Sequence, residues 1–167
     1  MHLYIQTLLS LGKLRQNTYK LLVKKAVAMD ASELLRQYGA GERDFKGVSL
    51  IGTSLSRVNL SGASLREASL SEVDLSQSDL AGVNLRESSL TRANLSGANL
   101  SEANLSGANL FGANLRGAVL CRAELRMTDL TGADLTGADL RDANVWGAYM
   151  AGAKLQGAVM PDGKLHG

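Results

Sequence analysis

Every fifth residue of this chain is a large apolar side chain over most of its length. The series starts at Phe45, runs without a gap to Met160 and comprises 24 positions, of which 20 are leucine. From Val48 to Ala158 the residue two positions before each apolar residue is small, and glycine stands two positions after it in 13 of 23 repeats. Repetition of this regularity constrains the fold more strongly than composition does.

A five-residue period fits neither a helix nor a straight strand. Residues five apart on an α-helix lie about 140° apart around its axis, so they form no stripe. On one long strand an odd period would place successive leucines on opposite faces. We therefore predict that the chain turns a corner every five residues, which returns each leucine to the inside. Glycine two residues after the leucine suits a type II turn, because the third residue of that turn has a positive φ.

Corners that lack this glycine are predicted to adopt another turn geometry, since a side chain disfavours positive φ. They include Arg57, Glu67, Glu72, Glu87, Glu102 and Met127. Composition agrees with a regular interior, because hydrophobic residues make up 45% of the chain and aromatic residues only 4%. The core is therefore expected to be a lattice of leucine and alanine.

The repeat resembles a known family. Residues 93–110 read Ala-Asn-Leu-Ser-Gly-Ala-Asn-Leu-Ser-Glu-Ala-Asn-Leu-Ser-Gly-Ala-Asn-Leu, which is similar to the A(D/N)LXX motif of the pentapeptide-repeat family and its cyanobacterial-type members. The resemblance covers roughly residues 43–162. It implies an all-β fold, a right-handed quadrilateral β-helix (solenoid) with four repeats per coil. The 24 repeats then give about six coils.

A helical cap is predicted in front of the repeat, over residues 30–42 with its turn. Asp30 suits the N-cap, Glu33 stands at the capping-box position, and Gly39 and Gly41 end the helix. A β-helix needs such a cap because its first coil otherwise presents unpaired backbone groups. The β-helix itself is assigned to residues 43–162 and a tail to residues 163–167.

Residues 1–29 form a basic extension, helical or disordered, with five basic residues and no acidic residue. The favoured interpretations are additional helix near the cap, or a start codon that lies upstream of the true start at Met29. Contact with a membrane surface through residues 1–29, or a targeting peptide, is the less favoured interpretation. The true start, Met1 or Met29, stays open.

The repeat is predicted to stop at Met160, because Pro161 donates no hydrogen bond and the Asp-Gly pair at 162–163 favours a turn. Two arrangements then cover the last coil. Either loose tail residues shield it, or two rods meet there as a dimer through the C-terminal coil.

No constellation typical of catalysis is present in the sequence. Both histidines, His2 and His166, stand at the chain ends, and the single cysteine, Cys121, forms neither an internal disulfide nor a cysteine-rich metal site. We therefore expect a protein that is not an enzyme, with no catalytic residue, no cofactor and no metal. One cysteine suits a reducing compartment, so a cytoplasmic location is predicted.

Residues 20 apart stack in columns under the four-sided arrangement. One outward column contains three arginines, Arg66, Arg86 and Arg126, with Trp146 at its end. We interpret it as a charge face compensated by pairs such as Arg66 with Glu87, and the alternative is a recognition stripe for an anionic partner. Columns of Asn and Asp, such as the one from Asp74 to Asp134, are predicted to hydrogen-bond as structural ladders.

Four apolar side chains are expected to face outward late in the repeat. They are Phe111, Met127, Trp146 and Tyr149, which we predict as a candidate patch for binding a partner.

The favoured function is a non-enzymatic interaction scaffold that binds a protein partner through an exposed face of the solenoid. The alternative is a protein that mimics DNA and binds gyrase or protects a topoisomerase, an activity that the family resemblance implies for some members. Residues 45–160 carry 11 acidic and 10 basic side chains, a net charge of −1. A DNA mimic needs a strongly negative surface. This alternative is therefore disfavoured, and no nucleic acid partner is expected.

Overall fold

Backbone pairing in the repeat joins residues 20 apart. The computed structural model describes residues 29–167, and the predictions for residues 1–28, including membrane contact, lie outside the described residues. Parallel bridges pair the residue before each apolar position with its counterpart 20 further on, from Asp44↔Ser64 to Asp139↔Val159. Four columns of six bridge residues result. The chain is therefore a four-sided parallel β-helix of six coils, the first over residues 44–63 and the sixth over residues 144–163.

In every coil, each side of the β-helix contributes a single bridge residue. Parallel strands of two or more residues are absent from the part of the chain that the structure describes. Hydrogen bonds nevertheless run in both directions along the rod. Asn94 donates its N–H to the Val73 carbonyl at 2.9 Å, and Leu95 donates to the Asn114 carbonyl at 2.7 Å. Each of the four inner coils is thus bonded to the coil before it and the coil after it, as expected for a solenoid.

The corners share one backbone conformation whether or not they carry glycine. The Leu95 carbonyl accepts the Ala98 N–H at 3.1 Å around Gly97, and the Leu65 carbonyl accepts the Ala68 N–H at 3.2 Å around Glu67. Ten corner residues other than glycine have φ between 56° and 60°: Arg57, Glu67, Glu72, Gln77, Glu87, Arg92, Glu102, Arg122, Met127 and Asp142.

The prediction of a different geometry at these corners is therefore wrong in the sign of φ and in the turn hydrogen bond. The left-handed conformation costs a residue with a side chain roughly 1–2 kcal/mol. Pairing with the coils on both sides determines the path of each corner and offsets that cost.

The apolar series forms a continuous core. Phe45 and every leucine from Leu50 to Leu140 are at most 2% exposed, and they share one cluster with the small residues two positions before them. In the sixth coil Val145, Met150, Leu155 and Met160 are only partly buried. The sixth coil has a neighbour on one side only, which explains the difference.

Helix α1 covers the start of the rod and extends over Ala31–Gly39. Asp30 is its N-cap and accepts the Glu33 N–H at 2.8 Å, as predicted. The Glu33 carboxylate turns to the Arg36 and Gln37 side chains, at 2.7 and 2.6 Å. Leu34 is fully buried in the common core cluster, so α1 closes the first coil. Among residues 29–167, no helix has the length and apolar character needed to span a bilayer.

The C-terminal tail folds back onto the fourth side of the sixth coil. Gly163 donates its N–H to the Met160 carbonyl at 2.8 Å, and Val159 forms an antiparallel bridge with Leu165. His166 donates its N–H to the Ala158 carbonyl at 2.8 Å. The repeat therefore ends at the predicted turn, and the tail is paired on this side. The dimer through the C-terminal coil stays a prediction.

Candidate interaction site

The first corner of every coil lies directly over the first corner of the next. We call this column of six corners the first corner: Lys46–Gly47, Arg66–Glu67, Arg86–Glu87, Ser106–Gly107, Arg126–Met127 and Trp146–Gly147. Backbone bonds hold its later members in register. The Glu87 N–H bonds the Ser106 carbonyl at 3.1 Å, and the Gly107 N–H bonds the Arg126 carbonyl at 2.9 Å. The corner thus presents a straight line of outward side chains.

The cations of the first corner are paired with carboxylates. Lys46 Nζ lies 2.9 Å from Glu67 Oε1 in the next coil, and an Arg66 Nη2 lies 3.8 Å from the same oxygen. Arg66 therefore pairs with Glu67 of its own coil, whereas the sequence suggested Glu87. The positive and negative charges of this corner therefore compensate each other. Each exposed ion pair contributes about 0–1 kcal/mol to the stability of the fold.

A notch interrupts the first corner in the fourth coil. Ser106 and Gly107 are small, whereas the coils before and after them carry long side chains at these positions. The notch is an open groove with a volume of about 340 Å³. It is lined by Arg86, Glu87, Ser106, Gly107, Arg126, Met127 and Trp146.

The C-terminal wall of the notch is apolar and exposed. Trp146 is 71% exposed and Met127 is 50% exposed. A Cβ at Gly147 would lie 2.6 Å from Met127 Sδ, so the absence of a side chain at Gly147 lets Met127 rest across the sixth coil. The notch therefore combines two arginines with an apolar wall.

The structure brings together some of the predicted site residues and separates others. Arg86, Arg126, Met127 and Trp146 all line the notch. Arg66 lies one coil further towards the N terminus on the same corner. Phe111 belongs to the second corner, with Ile51, Ser71, Thr91, Thr131 and Ala151, and Tyr149 lies on the side that precedes that corner. All four predicted apolar residues are exposed, but Phe111 and Tyr149 are not part of the notch.

The Asn and Asp columns hold the rod together. Asn114 Nδ2 donates to Asn94 Oδ1 at 3.1 Å, and Asn94 Nδ2 donates to Asp74 Oδ1 at 3.0 Å, as the ladder prediction requires. The same Asn94 oxygen accepts the Ser96 N–H at 3.2 Å and so also fixes the next corner. The column from Asp74 to Asn114 thus has its side chains bonded to one another along the rod.

Sequence reasoning missed the buried hydroxyls of the core. Ser78, Ser88 and Thr128 stand at small positions, are at most 2% exposed and donate to backbone carbonyls. It also missed the notch, although the column reads Arg86, Ser106, Arg126 at a spacing of 20. The replacement of a long side chain by serine in that column is the signal that predicts a gap.

Acid should weaken the rod through carboxylates such as Asp139. Nε and Nη2 of Arg141 donate to both oxygens of the Asp139 carboxylate, with Nη2 to Oδ2 at 2.6 Å, and these bonds lower the Asp139 pKa from 3.8 to about 2. Since the folded pKa is the lower one, the stabilisation is complete above about pH 4 and is lost as the pH falls towards 2.

We expect the Asp139→Asn variant to have a Tm about 2–4 °C lower at pH 7, a cost on the order of 1 kcal/mol. The drop in Tm between pH 7 and pH 2.5 should also be smaller than in the wild type. Asparagine occupies the same column at Asn59 and Asn99, so the side chain fits. Thermal unfolding followed by circular dichroism measures both quantities, and an unchanged pH dependence in the variant would contradict this assignment.

Comparison with known proteins places the repeat in a family. The family model for pentapeptide repeats matches eight copies, within residues 44–80, 68–107, 78–117, 98–137 and 133–167. Proteins with these repeats fold as right-handed quadrilateral β-helices. No curated protein matches the sequence.

Several solved structures are similar to this chain. The pentapeptide repeat protein Rfr23 from the cyanobacterium Cyanothece 51142 is 30% identical over 74% of this chain and 93% of its own, with a TM-score of 0.51. The pentapeptide repeat protein alr5209 from Nostoc PCC 7120 is 34% identical over 60% of this chain and 80% of its own, with a TM-score of 0.41. QnrB1, a plasmid-mediated fluoroquinolone resistance protein, is 24% identical over 69% of this chain and 66% of its own, with a TM-score of 0.50, and supports the fold alone.

Proposed function

Because the chain belongs to the pentapeptide-repeat family, we propose that it is a non-enzymatic scaffold that binds a protein partner through its first corner. The observation that carries this proposal is the notch, where Trp146 is 71% exposed beside a concave surface. Exposed aromatic side chains next to a cleft are typical of binding surfaces. We also propose that the protein is located in the cytoplasm.

The regular backbone supports a scaffold role. Each coil is bonded to its neighbouring coils, on both sides for the four inner coils, so the corner residues are held at fixed spacing along the rod. A preorganised surface loses little conformational entropy on binding. A partner would therefore meet Arg86, Arg126 and Trp146 at positions that the backbone already sets.

The environment of Cys121 supports the non-enzymatic part of the proposal. This thiol is partly buried, and burial together with a hydrogen bond to the Asp139 carboxylate raises its pKa above the usual value. A reactive cysteine requires the opposite shift, towards the thiolate. His166, the histidine within the described residues, lies in the C-terminal tail and not beside Cys121.

The DNA-mimic alternative has weaker support. Arginines on several corners lie among the acidic residues, for example Arg116 at 3.3 Å from Asp134 and Arg122 at 3.4 Å from Glu102. The surface is thus compensated locally as well as in its net charge of −1 over residues 45–160. A supercoiling assay in which this protein strongly inhibits gyrase would reverse this order of preference.

Filling the notch tests the proposed function. The double change Ser106→Arg with Gly107→Glu, the filled variant, gives the fourth coil the Arg-Glu pair that the second and third coils already have. We expect affinity capture from the native host to recover at least about tenfold less of the partner. The new side chains block a central contact, and central contacts supply most of the binding energy. Mass spectrometry of the captured proteins measures the loss.

The third corner offers a matched control. Ser96 and Gly97 form the third corner of the third coil and do not line the notch. The control variant, Ser96→Arg with Gly97→Glu, makes the same two changes there. A Cβ at Gly97 would lie 3.6 Å from Gln77 Cγ, and a Cβ at Gly107 would lie 3.6 Å from Glu87 Cγ. With φ at 66° and 67°, the two sites also impose the same backbone strain on a side chain. Capture of the partner by the filled variant at the level of the control variant would disprove the proposed site.

A further inference from the structure

We propose that the notch binds an extended acidic peptide segment that ends in an aromatic side chain, an inference that rests on the proposed function and names the partner's chemistry. Its starting point is the order of side chains along the first corner. Arg86, Ser106, Arg126 and Trp146 follow one another in the third, fourth, fifth and sixth coils. A linear ligand that lies along the rod meets them in that order.

Both arginines retain hydrogen-bond donors for a ligand. Arg86 Nη2 lies 3.5 Å from Glu87 Oε1, and Arg126 Nε lies 3.4 Å from Glu124 Oε2. Each contact engages one guanidinium nitrogen, and a guanidinium carries five N–H donors. The side chains are 45% and 57% exposed and both line the notch, so a ligand there can reach them. Carboxylates are the peptide groups that complement them.

The charge of the lining favours an acidic over a basic segment. Two arginines and one glutamate line the notch, a net charge of +1, and Glu124, which pairs with Arg126 at 3.4 Å, lies outside this lining. A polyanion is not the better occupant, since Glu67, Glu87 and Glu124 interrupt the line of cations. A nucleic acid would require an uninterrupted cationic track for its phosphates.

Spacing determines the length of the segment. Coils stack about 4.8 Å apart, so along the rod Arg86 lies about 10 Å from Arg126 and about 14 Å from Trp146, and five residues of extended chain cover about 13 Å. Trp146 follows one coil later, with Met127 beside it. Two acidic residues at positions 1 and 3 and an aromatic residue at position 5 match this arrangement, because alternate residues of an extended chain share the face that lies towards the rod. The volume of about 340 Å³ suits one or two side chains of such a segment.

Trp146 supplies a reporter for the test, because it is the single tryptophan of the chain. The probe is the blocked peptide acetyl-Glu-Ala-Glu-Ala-Phe-amide, which lacks tryptophan, titrated into the full-length protein while Trp146 emission is recorded. Peptides with Gln or Lys in place of both Glu residues serve as comparisons. We expect a saturable emission change with the acidic peptide, with a Kd on the order of 0.1–1 mM. Binding of the Gln peptide should be about fivefold weaker, and the Lys peptide should give no saturable change.

The variants separate this inference from the proposed function. The control variant should bind the acidic peptide as the wild type does, and the filled variant should lose the emission change. Equal binding of the three peptides, or retained binding by the filled variant, would overturn the inference. If the acidic peptide fails while the filled variant still loses its captured partner, the proposed function stands and the acidic segment is rejected. If the peptide binds while capture is unaffected by filling, the proposed function fails at this site.

Discussion

Leu95→Ala is expected to destabilise the rod by about 2–5 kcal/mol. Leu95 is fully buried in the third coil, with coils bonded to it on both sides. Truncation leaves a cavity that neighbours cannot fill, because the backbone ladder holds the coils at fixed spacing. In a solenoid each coil contacts only its neighbours, so the weakened coil also uncouples the two halves of the rod. We expect a lower midpoint in urea and a broader transition, both followed by circular dichroism.

Ile51→Ala is the matched control for this truncation. Ile51 is an aliphatic residue at a corner of the first coil and is 60% exposed. Its truncation should change the free energy of unfolding by less than about 0.5 kcal/mol. Equal effects of the two variants would mean that the leucine lattice does not carry the stability of the rod.

Leu34→Ala is expected to have the second largest effect, a loss of about 2–4 kcal/mol from the free energy of unfolding. Leu34 is the one fully buried residue of α1 and belongs to the same cluster as Phe45 and Leu50. Its truncation weakens the cover over the first coil and should expose that end of the β-helix. Amide hydrogen exchange should therefore rise first in the first coil, while the fourth coil stays protected.

Ser32→Ala provides the comparison within the same helix. Ser32 is exposed, and its replacement leaves Asp30 in place as the N-cap. Its effect should stay within about 0.5 kcal/mol. If Leu34→Ala leaves exchange in the first coil unchanged, α1 does not act as a cap.

The candidate site could be predicted only in part. The outward positions of Met127 and Trp146 follow from the period, since they stand two residues and one residue, respectively, after an apolar position. The period equally places Phe111 and Tyr149 outside, and nothing in it says which exposed residues share a surface. The stacking of residues 20 apart determines which exposed residues share a surface, because it places Trp146 beside Arg126 and Phe111 on another corner. The pairing of Arg66 with Glu67 was also not predicted, because a charged side chain at a corner can pair with several neighbours at similar free energy.

By itself the amino-acid sequence determined the architecture of the repeat. A leucine every five residues has to return to the inside each time, and this alone requires a corner per repeat. The tertiary structure decided the conformation of corners such as Glu67 and Arg92, where pairing between coils imposes a positive φ that the side chain disfavours. It also decided the notch, because a gap exists only where Ser106 and Gly107 lie between longer side chains of neighbouring coils. Local pattern sets the repeat, and contact between coils sets the surface.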